Sequence, residues 1–197
     1  AITLGSDSTI TSDSGSLTLS GAIGGSGKAI TVNGAATTVI SGIVGTGAGT
    51  ITKEGSGTLV LSAANTFTGG TTLSVGTITL GHTTALSTGY IFVDAGAHLN
   101  VDTGVGSVTI PKITGTGYFD LTNSAAATLS YTGANYTFAG SITNNGSLII
   151  AASSRSVTLS GSSTYTGTTT LTSGTLVISS DANVGSSSSI IFNGGTL

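Results

Sequence analysis

Asp94, His98, Asn100 and Asp102 fall on one parity of a single stretch with Gly96, while Val93, Ala95, Ala97, Leu99 and Val101 fall on the other. In an extended strand this alternation places the polar set on one face and the apolar set on the opposite one. Two carboxylates and an imidazole are the material of a metal site or of acid–base chemistry on a glycosidic bond. Distance decides against the second. Along one strand Asp94 and Asp102 would stand roughly 27 Å apart, whereas the carboxyl pairs that cleave glycosides sit about 5–10 Å apart. The stretch therefore reads as an ordinary solvated strand face.

The remaining acids, Asp7, Asp13, Glu54, Asp120 and Asp181, are dispersed, and Arg155 is the single arginine. The Gly-Gly-x-Gly-x-Asp pattern of calcium-binding coils is absent. Thr-x-Thr pairs at Thr9 and Thr11, Thr50 and Thr52, Thr77 and Thr79, and Thr164 and Thr166 could order water or bind ice only as one pair per coil in a shared column, and their spacing is irregular. Asn135 and Asn145 head glycosylation-type triplets of a kind that chance supplies in a Ser/Thr-rich chain. The expectation is a chain with no catalytic, cofactor-binding or metal-ligating residue. A polysaccharide-active enzyme is the rival class, because it would need acids that converge only in three dimensions.

Composition narrows the classes further. The 197 residues carry 4 Lys and Arg against 7 Asp and Glu, a formal net charge of −3, with 32 Gly, one Pro (Pro111) and no Cys, Met or Trp. Ser and Thr make up about a third of the chain. Phosphate backbones meet no counter-charge here, so no nucleic-acid partner is expected. Mean hydropathy is +0.44 and 38% of residues are hydrophobic, which separates the chain from a Gly/Ser linker. No apolar run reaches the eighteen or so residues of a membrane-spanning helix. The chain starts at Ala1 with no Met, so a processed or excised piece of a longer polypeptide is expected.

The elements that would position any site are short strands. Leu17-Thr18-Leu19, Ile30-Thr31-Val32, Leu59-Val60-Leu61 and Ile78-Thr79-Leu80 alternate or run apolar, and Gly punctuates them. No amphipathic helix is evident; at most one helical turn is expected near His82–Ser87 or Ser124–Ala127. Repetition is the strongest signal. Leu61-Ser62-Ala63-Ala64-Asn65-Thr66-Phe67-Thr68-Gly69 returns as Leu159-Ser160-Gly161-Ser162-Ser163-Thr164-Tyr165-Thr166-Gly167, an offset of 98 that also relates Gly42 to Gly140 and Leu99 to Leu197. The chain thus reads as one unit with an approximate duplication, about 1–99 and 100–197. The echo puts Phe192 and Thr196 at the places of Asp94 and His98, so the polar set is not duplicated. Coils of about twenty residues cannot bury their own apolar face, but stacked coils can. The expected fold is all-β, a parallel β-solenoid of nine or ten coils about 45 Å long.

Residues 55–72 and 75–81 resemble the autotransporter-associated β-strand repeat, or passenger-associated transport repeat, of bacterial autotransporter passengers. The second copy departs at Ser163 for Asn65 and Thr168 for Gly70. The resemblance implies a right-handed parallel β-helix in a secreted or surface-displayed passenger, where such repeats serve as stalk and aid export. The implied role is a non-catalytic stalk or adhesin segment, extracellular or at the bacterial surface, with host-surface, carbohydrate or self-association partners. An alternative is a filament subunit that stacks head to tail, since Asn193-Gly194-Gly195-Thr196-Leu197 breaks off inside the pattern.

Overall fold

The computed structural model describes residues 1–122, 125–185 and 189–197. Its strands are stubby, mostly two to four residues, and every strand pairing among the described residues is parallel. One circuit of the chain lays a strand on each of three faces. Ile2–Thr3 opens the first face, Ser8–Thr11 the second and Ser16–Leu19 the third. The next circuit repeats them as Ile23–Gly24, Ile30–Asn33 and Thr37–Ile40. On the second face Ile10, Val32, Lys53, Leu73, Val93, Gly115, Phe138 and Leu159 are successive Cα partners, so each coil takes 20–23 residues there. The result is an all-β parallel solenoid of about nine turns. No α-helix occurs among the described residues.

The alternation read from sequence sets what faces inward. On the third face Leu19, Ile40, Leu61, Leu80 and Val101 stack in one column, and Leu59, Ile78, Leu99, Phe119 and Ile142 in another. Except for half-buried Leu19, these side chains are buried within one continuous apolar cluster that runs the length of the rod. Buried apolar area at about 25 cal/mol per Å² is the main stabilising term, and it exists only because coils stack.

A seven-residue step underlies the coil. Ile23, Ile30, Thr37, Val44, Ile51 and Thr58 each begin a strand, one face after another. Three steps complete a coil of 21 residues, and fourteen steps make 98. The duplication offset is therefore not a whole number of coils. Leu61 lies on the third face, but its echo Leu159 lies on the second; Ile51 lies on the second, but Ile149 lies on the first. The faces are similar enough that the same motif folds on either.

Regularity fails in places. The first face has strands at Ile2–Thr3, Ile23–Gly24 and Val44–Gly45 and resumes as strand only at Ser107–Ile110. Between them the ladder is carried by single contacts. Asn65 is buried, its Oδ1 accepting from Val44 N at 2.8 Å and its Nδ2 donating to Ala85 O at 2.7 Å. In the second copy Ser163 Oγ accepts from Ile142 N at 3.2 Å and Ser163 N donates to Ala182 O at 2.7 Å, so the shorter residue bridges the same two neighbours with its side chain and backbone. Ser147–Leu159 and Thr169–Val177 each run over two faces, with register shifts near Ala151.

The helical turn expected at His82–Ser87 is instead a series of turns, closed by Ala85 N to His82 O and Ser87 N to Thr84 O. Ala126–Leu129 is a strand, and Ser124 lies outside the described residues. A 3-10 turn forms at Asp181–Val184, where Ser180 and Asn183 build a capping box. The signal was the Ser-x-x-Asn spacing.

The two copies differ by one hydroxyl in the core. Phe67 and Tyr165 are both fully buried. Tyr165 Oη lies 2.5 Å from Thr169 Oγ1, while Thr71 Oγ1, at the equivalent place beside Phe67, is buried with no hydrogen-bond partner. Tyr165→Phe orphans Thr169 and should cost about 1–3 kcal/mol in urea unfolding, whereas Phe67→Tyr should gain about 1 kcal/mol by giving Thr71 the partner its echo has. Equal effects of the two substitutions would contradict this reading.

Candidate functional site

The structure divides the polar set of residues 94–102. The chain does not run straight from Asp94 to Asp102: a strand ends at Val93, the backbone turns at Gly96 with φ +79°, and the next strand is His98–Val101. The single nine-residue strand face expected from alternation is therefore corrected to two strands around a corner, since Gly96 alone makes the left-handed turn inexpensive. Asp94 closes that corner through its carbonyl, which accepts from Ala97 N, and Asp102 Oδ1 accepts from Gly104 N at 3.0 Å. Only His98 and Asn100 still share a strand face.

A different acid joins them. Asn100 pairs with Asp120 on the next coil and Asp120 with Thr143 on the one after. His98 Nδ1 lies 2.7 Å from Asp120 Oδ2, the Thr143 hydroxyl donates to Asp120 Oδ1, and the rings of His98 and Tyr118 stack at 4.6 Å. Asp120 is buried, whereas His98 is about half exposed. With Nδ1 donating to the carboxylate, the neutral imidazole carries its lone pair on Nε2, the atom that a base or a metal ligand uses. No group of three His, Asp or Glu residues able to hold a metal forms among the described residues. The cluster ties three successive coils together. Its sequence signal was available: reading one coil ahead from Asn100, by 20 residues, arrives at Asp120.

A second titratable group is hidden. Lys53 sits in the inward column between Val32 and Leu73, fully buried. Its Nζ donates to the carbonyls of Glu54 at 2.5 Å and Gly55 at 2.7 Å, with Val75 O at 3.5 Å. Desolvation lowers its pKa. The ammonium satisfies the carbonyls of a corner where the chain passes from the second face to the third. Tyr136 is its opposite: its hydroxyl is buried without a partner, and burial pushes its pKa up.

The threonine pairs do not form a two-rank array. Thr52 belongs to a column of the second face with Thr9, Thr31 and Thr72, while Thr77 and Thr79 lie on the third face. Phe92 interrupts the single column after Thr72. Exposed rings gather instead in the middle coils, at Tyr90, Phe92 and Tyr118.

The rod also carries a cleft of about 490 Å³. It opens between the turns at 83–88 and the loop at 130–135, with Pro111 on its wall. Besides Pro111 its lining is made of the hydroxyl-bearing residues Thr84, Ser87, Thr88, Thr109, Ser130, Tyr131 and Thr132, and no acid, lysine, arginine or histidine is among them. Lys112 Nζ lies 5.5 Å from the centre of the Tyr131 ring, and Tyr136 meets that ring edge-on at 5.8 Å.

The buried lysine and tyrosine give opposite pH dependences. Between the lowered pKa of Lys53 and the unfolded value near 10.5, the unfolded chain holds a proton that the folded chain has lost, so stability from this group rises with pH. Above about pH 10 the unfolded Tyr136 ionises while the folded one does not, so stability falls. Urea midpoints measured from about pH 8 to pH 11 should lose the rise in Lys53→Met and lose the fall in Tyr136→Phe. At neutral pH Lys53→Ala should cost about 2–4 kcal/mol through its cavity and two orphaned carbonyls.

No curated protein and no solved structure matches the chain. The family model described as Passenger-associated-transport-repeat matches at residues 51–80 and 155–178, together somewhat over a quarter of the chain. These segments contain Phe67 and Tyr165, the aromatic centres of the two copies. The two segments similar to this repeat, which is typical of the β-helices of autotransporter passenger domains, lie on neighbouring faces of one solenoid.

Proposed function

We propose that this chain is a non-catalytic stalk segment of a secreted or surface-displayed autotransporter-type passenger. The observation that carries the reading is the pair of matches to the transport repeat within one parallel solenoid. Such a rod is stiff because each coil is hydrogen-bonded to two others, and it adds about 4.8 Å of reach per coil whatever its surface carries. The right-handed winding implied by the resemblance agrees with the strong preference of parallel crossover connections for that hand. Adhesion belongs to this reading as something the rod presents.

A stalk tolerates loss of a whole coil but not of part of one. Deleting residues 54–73 joins Lys53 to Ser74, which takes the place of Glu54 in the next coil, and preserves every column. Deleting 54–63 shifts the later coils by about half a turn and sends apolar side chains outward. In the full passenger on producing cells, the first deletion should leave the segment displayed and removable by external protease, and the second should abolish display. Equal loss in both, or labelling only after lysis, would overturn the stalk reading. Fibres built from this chain alone would identify a head-to-tail filament instead, and cleavage of a polysaccharide would identify an enzyme.

A further inference from the structure

We propose that the cleft between the 83–88 turns and the 130–135 loop binds a neutral carbohydrate, with Tyr131 as its aromatic contact and Thr88 and Thr109 among its hydrogen-bonding partners. The inference does not depend on the stalk reading.

Three observations converge. The first is the chemistry of the wall. Every polar residue that lines the cleft is a serine, threonine or tyrosine, whose hydroxyl can both donate and accept, and Pro111 and the Tyr131 ring supply apolar surface. A ligand complementary to that surface is uncharged, dense in hydroxyls and apolar on its C–H faces, which describes a pyranose. A carboxylate or phosphate would find no free cation. Lys112, next to Pro111 in the chain, faces the Tyr131 ring.

The second is that the ring is fixed. Lys112 sits over Tyr131, Tyr136 packs edge-on against it, and the chain folds so closely across it at Gly133 that a Cβ there would lie 2.3 Å from Tyr131 Cζ. Thr84 is held as well, its N donating to His82 Nδ1 at 3.1 Å with its hydroxyl 3.1 Å from the same nitrogen. Ser87 adopts a left-handed φ of +54° at the lip. Groups held in place before binding lose little freedom when a ligand arrives.

The third is position and size. The cleft falls where the first face lacks a regular strand, and a volume of about 490 Å³ lies in the range of small-molecule sites. Tyr131 is the one aromatic ring among the residues that line it.

Saturation-transfer NMR on the folded chain tests this with cellotriose, maltotriose and chitotriose as neutral probes and trigalacturonate as the anionic one. At least one neutral probe should receive saturation and should outcompete trigalacturonate. Tyr131→Ala should weaken binding at least tenfold. Thr88→Val and Thr109→Val, exposed positions whose change spares the core, should each weaken it several-fold, so the test survives if Tyr131→Ala fails to fold. Thr77→Val on the third face should leave it unchanged. The proposal is overturned if none of the neutral probes binds at about 10 mM, if trigalacturonate binds better, or if binding is indifferent to both valine substitutions.

Discussion

Everything in this chain answers to one constraint: each coil pairs in register with the next, so nearly every side chain has a counterpart about 4.8 Å above and below it. A position that suits one coil must also suit its own neighbours. Apolar side chains gain from this, because an inward column becomes a continuous core. Charges lose, because like charges at that spacing repel. The scarcity of charge, 6% of residues, follows directly. The ionic groups that do occur in the middle coils are placed against something other than themselves: Asp120 beside His98, Lys112 over Tyr131, Lys53 inside against carbonyls. Small residues at the corners obey the same rule. Gly140 stacks on Gly117 and Gly161 on Gly140 so closely that a Cβ on either upper residue would lie 2.0 Å from the carbonyl oxygen below. An alanine at Gly140 has no space that a side-chain shift could provide.

Because the three faces are built from the same seven-residue step, the chain can reuse a motif on any of them. A repeat copied by a whole number of steps, but not of coils, still presents an apolar residue inward and a corner where a corner is needed. That is what the offset of 98 did, carrying Leu61 of the third face to Leu159 of the second. The substitutions that accompany the move are local repairs. Ser163 takes over from Asn65 by using its backbone for one of the two bridges, and Tyr165 supplies the hydroxyl that leaves Thr169 satisfied where Thr71 is not.

The fold was legible in the sequence because its signal is repetitive: alternation fixes the inward columns, and self-similarity fixes the stacking. Side-chain chemistry was less legible, since its partners are one coil away rather than adjacent. Asp120 looked isolated because it was read along the chain, although Asn100 is its neighbour across the ladder. Lys53 is hard to read for the opposite reason. Its parity placed it inward, but nothing in local sequence announces that the carbonyls of Glu54 and Gly55 would need donors there. The break at Gly96 was misread because period-two alternation can continue across a corner that a positive-φ glycine provides.

The same constraint explains where a solenoid has room for specificity. A flat, in-register face offers a ligand the same few groups again and again, with no concavity to exclude water or to fix an orientation. Recognition needs a place where the ladder is interrupted and chain is free to stand away from the rod. Between Val44–Gly45 and Ser107–Ile110 the first face lacks a regular strand, and the turns at 83–88 stand beside the later loop at 130–135. The exposed rings of Tyr90, Phe92 and Tyr118 belong to those same coils. A column of threonines tolerates one aromatic only where its neighbours are small, and Phe92 has Thr72 on one side and Thr114 on the other. Thus the irregular coils cost backbone pairing but gain a cleft, with the Tyr131 ring in its wall, that a regular ladder cannot supply.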